Sequence, residues 1–169
     1  MLQLVLGGAR SGKSRYAEQC AQASGLPVCV VVTAQAGDAE MAARIAHHQS
    51  LRPPHWRVVE SPFNLAATLH TQARDGQCLI VDCLTLWLTN LVCQTPEQLE
   101  AERAALLGCL PALPGTTLLV SNEVGLGVVP LGELTRRFVD EAGWLNQGVA
   151  HACERVTLVA AGLTLVLKG

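Results

Sequence analysis

The chain has 169 residues, half of them apolar and 15% charged, with 12 Lys+Arg against 14 Asp+Glu. That composition excludes a disordered chain, and a net charge of -2 excludes the broad positive field that would hold nucleic acid. No apolar run approaches the roughly 18 residues needed to cross a bilayer, so no integral membrane segment is expected.

The chain opens Met1-Leu2-Gln3-Leu4-Val5-Leu6 with no basic leader, which points to a cytoplasmic protein. Seven cysteines without any Cys-x-x-Cys read as reduced core thiols. Short apolar runs then alternate with segments of helical spacing, the pattern of a sheet wrapped by crossover helices. Strands are predicted over 2–6, 28–32, 78–82, 117–120, 156–160 and 163–167, with a weaker one over 56–59. Helices are predicted over 14–23, 38–51, 62–73, 84–93, 96–110 and 134–151. Thr95-Pro96-Glu97-Gln98 has the form of a capping box, and Ser61-Pro62 reads as a second helix start. Only Ala161-Gly162 separates the last two strands, so they form an antiparallel hairpin on an otherwise parallel sheet. The expected class is α/β in one domain over 1–169, with no linker or repeat.

Gly7-Gly8-Ala9-Arg10-Ser11-Gly12-Lys13-Ser14 satisfies G-x-x-x-x-G-K-[ST], with an apolar strand before it and a helix after. Random order of this composition would give about 0.0015 such matches, so chance is a poor explanation. Glycines let successive backbone N–H groups turn onto phosphate oxygens, and the following helix adds its positive end. Lys13 would reach the outer phosphates and Ser14 would ligate Mg²⁺. A magnesium site also wants a carboxylate at the end of a neighbouring strand. Cys78-Leu79-Ile80-Val81-Asp82 supplies Asp82; capping the helix from Leu84 is that residue's other use. Glu123, after the strand over 117–120, can orient a metal-bound water, contact substrate or simply shape its glycine-rich loop.

In the helix predicted over 38–51, positions 41, 45, 48 and 52 share a face. His48 then lies on an apolar stripe, where a histidine ordinarily packs. A neutral imidazole can also attack phosphorus and hold a phosphoramidate, with Arg52 one turn on to steady the phosphate. His55, His70 and His151 have no such company and read as surface or packing residues.

These residues together resemble one family, the bifunctional adenosylcobinamide kinase/adenosylcobinamide-phosphate guanylyltransferases of cobalamin synthesis. The likeness runs through Gly7 to Ser14, Glu40-Met41-Ala42-Ala43-Arg44-Ile45 to His48, Arg52-Pro53, Trp56, Glu60 and Asp82-Cys83-Leu84-Thr85. It continues through Thr89-Asn90-Leu91, Asn122-Glu123-Val124-Gly125, Gly127, Pro130, Arg137-Phe138, Gly143 and Asn146-Gln147. The resemblance implies a P-loop NTPase-like, RecA-like sheet. It also implies phosphorylation of adenosylcobinamide by ATP or GTP, then transfer of GMP from GTP to adenosylcobinamide phosphate through a guanylylated histidine. By resemblance that histidine is His48, four before Arg52 in the H-x-x-x-R-P run, with His47 the runner-up. Nucleotide contacts would carry over to Gly7, Gly8, Ala9, Arg10, Ser11, Gly12, Lys13 and Ser14, to Val32, Thr33 and Ala34, to Gln49, Ser50, Leu51 and Arg52, and to Glu60 and Asp82. A carboxylate such as Glu60 can pair with the ring N1–H and exocyclic amine of guanine; an ordinary surface strand end is its other reading. Family members assemble as trimers, so an oligomer is expected.

Two other readings use parts of the same pattern. A P-loop kinase for another small alcohol would share the loop, the magnesium and Asp82 but leave His48 structural. A GTP-binding regulatory module would need a guanine motif of the Asn-Lys-x-Asp kind, and neither Lys13 nor Lys168, the only lysines, follows an asparagine.

Overall fold

The computed structural model describes residues 1–37, 39, 42, 43, 46 and 52–169. The helix expected over 38–51 falls largely outside them, and with it His47, His48, Gln49, Ser50 and Leu51.

Seven strands form one sheet: β1 (Leu2–Gly7), β2 (Val28–Val32), β3 (Arg57–Glu60), β4 (Cys78–Asp82), β5 (Thr116–Asn122), β6 (Arg155–Ala160) and β7 (Leu163–Lys168). Helices α1 (Lys13–Ala23), α2 (Leu65–Gln72), α3 (Leu84–Val92), α4 (Pro96–Cys109) and α5 (Glu133–Ala152) run between them. The strand order is β3-β2-β4-β5-β1-β6-β7. Every pairing is parallel except β6 with β7.

β1 and β2 are buried at every position, because helices cover the sheet on both sides and such strands read as unbroken apolar runs. Alternate side chains divide between two cores. Leu4, Leu6, Val31, Leu79, Val81 and Leu119 pack with α2, α3 and α5, where Trp87, Leu88, Leu145 and Val149 close the layer. On the other face Val5, Val30, Val32, Ile80, Leu118 and Val120 meet Ala17 and Ala21 of α1. Those two alanines let α1, and the loop that precedes it, lie close to the sheet.

Local signals placed most boundaries within two residues. Thr95 and Gln98 form the expected capping box, each side chain bonding the other's backbone N–H at 3.3 Å. The hairpin turn has Ala161 at φ 51° and Gly162 at φ 77°, the positive pair that a two-residue connection demands. The helix start at Ser61-Pro62 is corrected. α2 begins at Leu65, because the Ser61 hydroxyl is engaged by the Phe63 carbonyl at 2.9 Å and the Thr68 hydroxyl at 2.8 Å and cannot cap. Asn90 on α3 also donates to the Pro62 carbonyl at 3.0 Å and holds that turn extended. The picture of core thiols holds for Cys29, Cys78, Cys83 and Cys153, whereas Cys93 is exposed. Burial, aided by the Asp82 carboxylate, pushes the Cys83 thiol up to about 11.

Candidate active site

The parallel order brings the C-terminal ends of β4, β5 and β1 to one edge of the sheet, where open α/β folds bind ligands. β1 does not neighbour β4; β5 lies between them. The phosphate loop leaves β1 at Gly7. A Cβ there would stand 2.4 Å from the Ser11 hydroxyl and 2.5 Å from the Val159 carbonyl, so only glycine allows the loop to fold back. Gly12, at φ 97°, makes the turn into α1. The first turn of α1 has neither an acidic residue nor a side-chain cap, so its free N–H groups stay open to an anion. Lys13 lies back over the loop, its Nζ donating to the Gly8 carbonyl at 3.1 Å. Burial holds the Lys13 ammonium below its usual range, opposed by the neighbouring Cys83 and Asp82 side chains. The Gly162 N–H donates to the Ser11 carbonyl at 2.9 Å, so the β6–β7 turn buttresses the loop from above.

Asp82 ends β4 facing this loop. The Ser14 hydroxyl donates to its Oδ1 at 3.3 Å, close to the ~3 Å between adjacent oxygens around an octahedral Mg²⁺. Two hard oxygen donors so spaced fit magnesium, which keeps several of its own waters. The capping role for Asp82 is set aside, since Cys83 is the N-cap of α3. The other carboxylate oxygen receives Arg52 Nη2 at 3.1 Å, and Arg52 Nε lies 3.6 Å from Glu18 on α1. The Arg52 side chain is only 5% exposed, so this guanidinium is fixed between two carboxylates at the edge of the site.

The other residues singled out in the sequence lie as follows. Val32 is buried, and so is Thr33; the Thr33 hydroxyl donates to the Cys83 carbonyl at 2.6 Å and accepts its N–H at 3.1 Å. Only Ala34 of that trio is part exposed. Glu60 is exposed at the end of the edge strand β3. Glu123 Oε1 accepts the Gly125 N–H at 2.7 Å, the loop-shaping role.

Sequence reasoning missed the polar brace behind the site. Asn90 Nδ2 donates to the Thr33 carbonyl at 2.9 Å. The Thr85 hydroxyl accepts the Asn122 N–H at 2.6 Å, and Asn146 Nδ2 reaches the Asn122 carbonyl at 3.2 Å. The available signal was a polar residue on the apolar stripe of a helix, as Asn146 is on α5, where it is buried.

A loop open to phosphate, a lysine over it and a serine–carboxylate pair equip this edge for nucleotide chemistry. Among known proteins, the profile of the cobinamide kinase / cobinamide phosphate guanyltransferase family matches residues 3–167. The bifunctional adenosylcobalamin biosynthesis protein CobP of Pseudomonas aeruginosa is 64% identical over 170 residues, covering 100% of this chain and 98% of its own. The protein of the same description from Escherichia coli, CobU, is 40% identical over 182 residues, covering 99% and 100%. The RadB recombinase structure superposes with a TM-score of 0.52 at 16% identity, over 93% of this chain and 73% of that one, a likeness of fold alone that agrees with a RecA-like P-loop sheet. Given a match that spans nearly the whole chain and includes every element of this edge, the protein is an enzyme of the cobinamide kinase / cobinamide phosphate guanyltransferase family.

Proposed function

We propose that the chain, acting as one domain, phosphorylates adenosylcobinamide with ATP or GTP. It then transfers GMP from GTP to adenosylcobinamide phosphate, giving adenosylcobinamide-GDP. The observation that carries this reading is the uncapped α1 N-terminus under Lys13, facing Ser14 and Asp82 at 3.3 Å, in a chain related over its full length to bifunctional enzymes. Gly7 to Ser14 cradle the phosphates and Lys13 draws charge from the outer ones. Mg²⁺, held by Ser14 and Asp82, would neutralise charge between the β and γ groups.

In the second reaction an imidazole nitrogen of His48 bonds to the α-phosphorus of GTP and the bond to pyrophosphate breaks. A corrinoid phosphate oxygen then bonds to the same phosphorus and the imidazole leaves. Support comes from the sequence, where His48 stands four before Arg52, and from Arg52, whose guanidinium reaches Asp82. Incubation with α-labelled GTP and Mg²⁺ is expected to leave an acid-labile, alkali-stable GMP adduct, absent in His48→Ala, retained in His47→Ala and lost with EDTA. An adduct that persists in His48→Ala would overturn the assignment.

The working unit is a trimer in the cytoplasm. Leu126, Val128 and Leu131, between β5 and α5, are 83%, 96% and 97% exposed. β7 exposes every residue, Leu163, Leu165, Val166 and Leu167 included. Apolar surface of that extent is normally covered by a partner. Sedimentation equilibrium at micromolar concentration should return three times the chain mass; a monomer would reject the assembly.

A further inference from the structure

We infer that Asn122 holds the hydroxyl group of the alcohol that accepts the phosphoryl group, a role that the phosphate loop, Asp82 and His48 leave unfilled. Asn122 is the last residue of β5, the strand between the loop strand and the Asp82 strand. It pairs with Gly7, where the phosphate loop begins, and the next N–H, of Glu123, donates to the Gly7 carbonyl at 3.1 Å. Strand alternation turns its side chain to the face that carries Leu118 and Val120. Cys78 and Ile80 share that face, so Asp82 points the same way, toward α1 and Ser14.

Both peptide groups of Asn122 are clamped. Thr85 Oγ1 accepts its N–H at 2.6 Å, and Asn146 Nδ2 donates to its carbonyl at 3.2 Å. The Asn146 amide is itself oriented by Ser121, whose hydroxyl donates to Oδ1 at 2.7 Å. Three polar side chains are thus used to fix one backbone position at the edge of the site. The Asn122 side-chain carbonyl oxygen is buried and has no hydrogen-bond partner among the described residues. A buried acceptor left unpaired is costly, and a native structure keeps one where something else supplies the donor. Phosphate oxygens are acceptors and cannot satisfy it. An alcohol O–H can.

The inference rests on the kinase activity proposed above. In that step the alcohol oxygen bonds to the γ-phosphorus, and the bond from that phosphorus to the β–γ bridging oxygen breaks, its electron pair leaving with the nucleoside diphosphate. The hydroxyl proton passes to an oxygen of the transferred phosphoryl group and from there to water. Asn122 accepts the hydroxyl's hydrogen bond and takes no proton, so it aligns the attacking lone pair with the breaking bond. Guanylylation of the enzyme uses no alcohol, and its second half uses a phosphate oxygen. Asn122 therefore serves one reaction and not the other.

The test is Asn122→Ala in the full chain, with adenosylcobinamide and GTP. Kinase kcat/KM is expected to fall about 100-fold, with a raised KM for the alcohol. GTP affinity and the yield of GMP adduct should stay within about twofold of wild type, and the melting temperature should show that the fold is kept. Asn122→Ser, smaller but still polar, should give the same split should the alanine variant fold poorly. An unchanged kinase rate, or equal loss of both activities, would overturn the assignment. Wild-type protein without kinase activity would instead remove the reading beneath it.

Discussion

Replacing Lys13 by alanine is expected to lower kinase turnover and GMP-adduct formation together, each by about 10³-fold, with the fold intact. Removing one preorganised donor from a developing charge costs roughly 10²–10³ in rate, and Lys13 carries a full charge rather than a dipole. No other lysine can replace it. The only other lysine, Lys168, sits at the end of β7 and donates to the carbonyls of Ala150 and His151 at 3.0 and 3.1 Å. Arginine would not restore activity, because a planar fork cannot lie back along the Gly8 carbonyl as a compact ammonium does. Stability should not suffer. Burial already disfavours the charged form of Lys13 in the folded chain, so the variant loses a group that the fold tolerates rather than one it depends on. Steady-state rates for both reactions, with a thermal melt, check the prediction. Activity within tenfold of wild type in either reaction would mean that the loop's lysine is not the phosphate ligand.

Trp87→Ala should be the most damaging single truncation in the core, costing about 3–5 kcal/mol. Trp87 is 0% exposed, and α3 inserts it between the sheet and the helices on that face. With only three tryptophans and two phenylalanines in the chain, the core is built from Leu, Val and Ala and holds no other side chain large enough to collapse into the space. Against a typical stability of about 5–15 kcal/mol such a loss is severe, and for a chain of this size it lowers the melting point by about 10–15 °C. Trp87→Phe provides the contrast. The indole Nε1 is buried with no hydrogen-bond partner among the described residues, so phenylalanine removes an unpaired donor while keeping most of the packing. It should cost below about 1.5 kcal/mol. Urea unfolding of the three proteins decides; equal losses for the two variants would show that Nε1 is satisfied after all.

What local chemistry encodes was legible without coordinates. Glycines around Lys13, the unbroken apolar strands, the Thr95–Gln98 box and the Ala161-Gly162 turn each fix a few neighbouring torsions or a pattern of burial, and each depends on residues within one turn of helix or strand. Asp82 was found for the same reason, since a carboxylate closing a buried strand stands out against it. One local expectation gave way to distant partners: Ser61 lost its cap to Thr68 and Asn90.

The arrangement that makes a site of these parts was decided only in three dimensions. Nothing within β1, β4 or β5 states that β5 lies between the other two, because parallel strands are joined by crossovers and their order follows from how the helices pack. That order alone sets Asn122 beside Gly7, and the brace of Thr85, Ser121 and Asn146 joins residues 24 to 37 apart in sequence. Likewise the ion pairs from Arg52 to Glu18 and Asp82 span 34 and 30 positions, 52 less 18 and 82 less 52. Sequence specified the phosphate loop, since its geometry is local; folding specified what faces it, since charge pairing and hydrogen bonding act across space without regard to chain position.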